Sequence, residues 1–238
     1  MRTLLVILLA SFSAQAAGRV VALPGKSPLV TFRIVFTTGA ASDPVGEPGL
    51  ANLTCELLAN GGTKRMTYKQ IVDALFPMAV TVHSYADKQM MTFTAETHVD
   101  NLDKFYSIFK AMLLEPGWRE EDFRRVKDDA LNGLKVNLRG NNDEELAKEE
   151  LYNLIYAGQP FGHDNLGTVS SLEKLSIEDV KAFYKAHLTQ ANLIIGLAGG
   201  YPADFLTRVQ KDFDALPKTG SAEPEIPAPA AIDGNRMT

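Results

Sequence analysis

Val30, Phe32, Ile34 and Phe36 alternate with Thr31, Arg33 and Val35, a two-residue period that predicts a strand with one face in the core. The turn Thr37-Thr38-Gly39 stops it, and a Gly- and Pro-rich loop follows, Ser42-Asp43-Pro44-Val45-Gly46-Glu47-Pro48. Leu50, Leu53 and Leu57 then recur at helical spacing until Gly61-Gly62, and Thr67 with Gln70 forms a capping box that opens a second helix running to about Leu75. The segments 80–85 and 90–95 flank Ala86-Asp87-Lys88-Gln89, which predicts an antiparallel hairpin closed by a short loop.

Helices dominate the next stretch. Leu102, Phe105, Tyr106, Phe109, Met112 and Leu113 form an apolar stripe that Pro116 terminates, and Phe123, Val126, Ala130, Leu131 and Leu134 mark a second long helix. Shorter helices are expected around 145–156 and 177–187, and Leu193 to Ala198 reads as a buried strand closed by Gly199-Gly200. Hairpins interleaved with helix pairs indicate an α+β fold, a mostly antiparallel sheet with helices packed on one face. From Pro217 the chain turns polar and proline-rich, so residues 17–216 are read as one domain and 217–238 as a linker toward a second, absent domain.

The amino terminus adds a destination. A single arginine, Arg2, precedes the apolar run Leu4 to Ala10, and Ala14-Gln15-Ala16 supplies a small-residue cleavage site, so residues 1–16 read as a signal peptide and the mature protein as periplasmic. That run falls short of the roughly 20 apolar residues that a membrane span requires. Cys55 is the only cysteine, which rules out an intrachain disulfide. A formal net charge of -5, spread along the chain, argues against nucleic acid and anionic membrane surfaces as partners.

Candidate chemistry lies on the helix that begins near Leu50. Its leucines point one way and Asn52, Cys55 and Glu56 cluster opposite, at the i, i+3, i+4 spacing by which H-E-x-x-H and inverted H-x-x-E-H helices aim side chains at one metal. The surroundings resemble one family. Asp43-Pro44, Gly46, Gly49-Leu50-Ala51 and Gly62-Thr63 are followed by Glu115-Pro116-Gly117-Trp118, then by Gly158-Gln159-Pro160-Phe161-Gly162 with Gly167-Thr168, and last by Asn192-Leu193-Ile194-Ile195. In that order they resemble the amino-terminal half of the pitrilysin, insulinase and mitochondrial processing peptidase family of inverted-zincin metallopeptidases.

The resemblance implies a zinc site that this chain does not keep. Laid onto the sequence, H-x-x-E-H places its histidines at Asn52 and Glu56 and its general base at Cys55, while the third ligand, a glutamate on the later long helix, falls at Asn132. Two amides and one carboxylate are a poor donor set for hydrolytic zinc. The implied function is therefore non-catalytic: no cofactor in this chain, zinc in a catalytic metallopeptidase homologue, and a heterodimer in which this chain helps close a chamber around peptide substrates. The alternative is an active zinc-dependent endopeptidase whose ligands come from elsewhere. A purely architectural role is set against by the signal peptide.

Other reactive side chains have plainer readings. Cys55 as a nucleophile would need a histidine, and His83, His98, His163 and His187 hold no motif spacing to it. Glu120-Glu121-Asp122 suits a helix amino terminus, as does Asn141 to Glu145, and Met90-Met91 reads as core and cleft wall.

Overall fold

A computed structural model describes residues 19–227, so the segment read as a signal peptide, 1–16, and residues 228–238 of the expected linker lie outside it. The strands are β1 (Arg19–Pro24), β2 (Leu29–Phe36), β3 (His83–Ala86), β4 (Met91–His98) and β5 (Leu193–Gly199). The helices are α1 (Leu50–Asn60), α2 (Tyr68–Leu75), α3 (Leu102–Leu114), α4 (Glu120–Asn132), α5 (Asp143–Ile155), α6 (Val169–Lys174), α7 (Ile177–His187) and α8 (Phe205–Phe213).

The alternation in β2 does what its period predicts: Val30, Phe32, Ile34 and Phe36 are buried, while Arg33 faces solvent. Phe32 anchors the layer of helices, meeting Phe105 and Phe109 of α3 and Phe205 of α8 edge-on at 5.3, 5.6 and 5.9 Å. Each such pair adds about 0.5–1.5 kcal/mol to ordinary burial. The sheet has the order β1-β5-β2-β4-β3. Its pairings are antiparallel except for β1 on β5, which is parallel, so the sheet is mixed.

The hairpin is shorter at its start than the sequence pattern suggests. Residues 80–82 stay outside β3, because Pro77 and the left-handed backbone of Ala79 (φ 52°) deliver the chain to the sheet edge only at His83. The tip is then held from outside, with Ala40 N donating to Asp87 O and Ala41 N to Lys88 O.

Helix α1 is enclosed rather than amphipathic. Leu50, Ala51, Leu53, Thr54, Cys55, Leu57, Leu58 and Ala59 are all buried, since β3, α4 and α7 cover it from different sides. Its amino terminus is clamped by Asp43, whose two carboxylate oxygens accept from Gly49 N and Ala51 N at 2.7 Å. A carboxylate there meets both unpaired N–H groups and the positive end of the helix dipole. Gly49 needs its left-handed backbone (φ 95°), and a Cβ on Gly167 would come within 2.2 Å of Pro48 O. Backbone thus packs on backbone, and the segment 163–168 is drawn up to the start of α1.

Beyond α8 the chain stays attached for a few residues. Leu216 is buried, Gln190 N donates to Pro217 O and Ser221 N donates to Ala186 O, which ties the first part of the linker segment to α7.

Candidate active site cleft

Asn52 and Glu56, one turn apart on α1, form the floor of two adjoining cavities of about 490 and 380 Å³. Both cavities share Asn52, Glu56, Gly133 and Leu166. Ser84 and Tyr85 of β3 and Glu145 and Glu149 of α5 wall the larger one, while Arg125 and Asp129 of α4 wall the smaller.

Glu56 is not a free carboxylate. Its Oε1 accepts from Ser84 Oγ at 2.9 Å and its Oε2 from Asn60 Nδ2 at 2.8 Å, so the side chain braces α1 against the edge strand. Burial pushes its pKa above the ordinary glutamate value, and the two hydrogen bonds pull the other way. Glu149 and Asp164, further along the larger cavity, are likewise pushed up by burial. Lys88 opposes the rise for both, as does the backbone hydrogen bond that Asp164 accepts from Leu166. The cleft is acidic at this end.

Two of the four positions singled out in the sequence sit elsewhere than expected. Cys55 does not share the open face: it is 0% exposed within the core, because β3 packs over that side of α1. Burial, and after it the neighbouring Glu56, drive its thiol pKa strongly upward. Asn132 is exposed and lines neither cavity. From this part of the chain Asp129, Ala130, Gly133 and Asn137 line the cavities instead, and Asn132 is turned away from Gly133 by about 100°. Gly133 also opens a π-helical segment, Gly133–Leu138, that carries the chain past the cleft. Gly133 lines both cavities beside Asn52 and Glu56 and brings no side chain to them.

These residues do not fit a catalytic zinc ion. They supply one amide, one carboxylate already engaged by two donors, and one position with no side chain, where zinc requires about three good donors and an open place. Among the described residues no three His, Cys, Asp or Glu side chains come together as a metal site.

No histidine lines either cavity. His163 Nε2 lies 3.3 Å from Asp43 and Lys88 donates to the His163 carbonyl, so this histidine fastens the 163–168 segment to the α1 clamp. His187 stacks on Phe183 and lies 3.4 Å from Thr38 Oγ1; burial lowers its pKa. His83 is exposed on β3, and His98 pairs with Asp100 at the surface. Met91 is core and Met90 is exposed. Sequence reasoning placed Asp43 only within a motif and missed its role as the clamp of α1. Gly133 was one residue away from the predicted corner and carried no chemical signal of its own.

The sequence profile described as Insulinase (Peptidase family M16) matches residues 20–169, well over half of the chain. The chain belongs to the insulinase family, peptidase family M16. An uncharacterized zinc protease of Rickettsia felis is 24% identical over 207 residues, covering 87% of this chain and 49% of that protein. A non-peptidase homolog, YmxG, of Helicobacter pylori is 24% identical over 193 residues, covering 80% of this chain and 44% of that protein. The fold is similar to the crystal structure of a peptidase M16 inactive domain from Pseudomonas fluorescens, with a TM-score of 0.80, 24% identity, and coverage of 91% of this chain and 52% of that one. The chain thus spans less than half the length of these two curated relatives. No H-x-x-E-H string occurs in the given sequence. No helix among the described residues is long and apolar enough to cross a membrane.

Proposed function

We propose that this chain is a non-catalytic M16 subunit, exported to the periplasm, which pairs with an intact H-x-x-E-H peptidase and closes a chamber around peptide substrates. One observation carries the reading: the cleft keeps its floor and walls while its three converging positions, Asn52, Glu56 and Gly133, offer no zinc donor set. Relatives described as a non-peptidase homolog and as an inactive domain support it. A cleft without a metal still positions peptide, and holding substrate for a neighbour's chemistry is a contribution to catalysis in its own right.

The test is reconstitution. The purified chain is assayed for peptidase activity alone, with zinc, and mixed with an intact H-x-x-E-H family member from the same genome. No turnover alone and a rise on mixing is the expected result. Chelator-sensitive hydrolysis by the chain alone would overturn the proposal.

A further inference from the structure

Helix α5 presents two faces, one to the cleft and one to solvent. Its Glu145 and Glu149 line the cleft. On the opposite side, at about 100° per residue, Ala147, Leu151, Leu154 and Ile155 form an apolar stripe. Leu151, Leu154 and Ile155 are 57%, 71% and 59% exposed, and no residue of α5 is buried. A helix of 13 residues is marginal in water without a packed apolar face. The stripe is that face, and nothing among the described residues covers it.

Its surroundings define the partner. Five carboxylates, Asp143, Glu144, Glu145, Glu149 and Glu150, stand against the single cation Lys148 on α5; Asp143 and Glu150 lie along one margin of the stripe, and at the other Lys148 is paired with Glu144 at 2.8 Å. A second copy of this chain would oppose two strongly acidic helices, and an anionic membrane surface would be repelled in the same way. The complementary surface is a protein with an apolar seat and a lysine- or arginine-rich rim.

We infer that the outward face of α5, centred on Leu151, Leu154 and Ile155, is the surface on which a second M16-type lobe with a basic-rimmed apolar seat docks, an assignment that rests on the companion reading above. Docking there would secure from behind the helix that supplies Glu145 and Glu149 to the cleft.

The experiment measures binding of the full chain to a purified intact H-x-x-E-H family member from the same genome, with wild-type chain and with the double variant Leu151→Asp, Ile155→Asp. The expected result is a Kd weakened by at least about ten-fold, with unchanged thermal unfolding, and wild-type binding that falls as salt rises. Because the variant itself could fail to fold, a photo-crosslinking residue at Leu154 in the wild-type background provides a second readout, expected to join the peptidase at an apolar site flanked by lysine or arginine. Equal binding by a folded variant overturns this surface and leaves the companion reading standing. Absence of wild-type binding overturns both. Crosslinks between two copies of the chain also overturn the assignment, in favour of a homodimer.

Discussion

Ser84 Oγ donates to Glu56 Oε1 across 2.9 Å, which makes the carboxylate on the floor of the cleft a brace between helix α1 and the edge strand β3. Removing it should loosen that corner. Glu56→Ala loses the partners of Ser84 and Asn60 and is expected to cost about 1–3 kcal/mol in denaturant unfolding.

Glu56→Gln should behave differently, and the difference has a sign. Burial raises the folded pKa of Glu56 above its ordinary value of 4.5, so its stabilising contribution is full below pH 4.5 and declines as pH rises through the higher folded value. A glutamine keeps a hydrogen-bonding group at the site and carries no charge to desolvate. The variant is therefore expected to gain stability relative to wild type as pH rises from 4 toward 8. Parallel stability curves over that range would refute the assignment.

The metal site should be recoverable through Gly133, whose φ is helical and whose Cβ would meet nothing within 4 Å. Asn52→His and Glu56→His combined with Gly133→Glu are expected to bind zinc at least about ten-fold more tightly than the same pair combined with Asn132→Glu, by calorimetry. Equal affinity in the two triple variants would mean that Gly133 is not the third corner. Cys55→Glu is left out of this design, because an ionised carboxylate in the core would destabilise by several kcal/mol.

Cys55 should be silent to thiol reagents. It is fully buried and its pKa is pushed strongly upward, so the thiolate that reacts is scarcely populated. Ellman's reagent at pH 8 is expected to label no thiol in the native chain and one after denaturation. Rapid native labelling would show that the β3 edge opens over α1.

Asp43 holds the start of α1 through two backbone hydrogen bonds at 2.7 Å and also contacts His163. Asp43→Ala is expected to cost about 2–4 kcal/mol, read as a lower melting temperature, together with faster amide exchange in 163–168. Loss of stability with unchanged exchange in that segment would separate the helix clamp from the loop anchor.

The strands and helices that the sequence announced are those in which one period dominates. The alternation of β2 and the capping box at Thr67 both appear where the residues place them. What escaped the pattern has physical reasons. Strand β1 is an edge strand on which only Val20 packs against the core and the other residues are exposed, so it shows no alternation. Helix α8 carries Phe205, Val209 and Phe213 at four-residue steps, a legible stripe that the short segment after Gly200 masked. At the cleft, spacing put Asn52 and Glu56 on one face, as found, but wheel geometry alone could not tell that β3 would cover Cys55. The turn of α4 that reaches the cleft depends on packing between helices distant in sequence, which is why spacing alone pointed to Asn132 when its neighbour Gly133 is the one that lines the cavities.

Helix α1 lies wrapped in apolar neighbours along most of its length, and most of that packing is made by aliphatic side chains that bind no metal. The scaffold and the chemistry are separable in heredity for this reason. Most positions that reach the cleft can therefore change in a lineage while selection still maintains the shape, because the apolar contacts that hold the helix lie elsewhere on it.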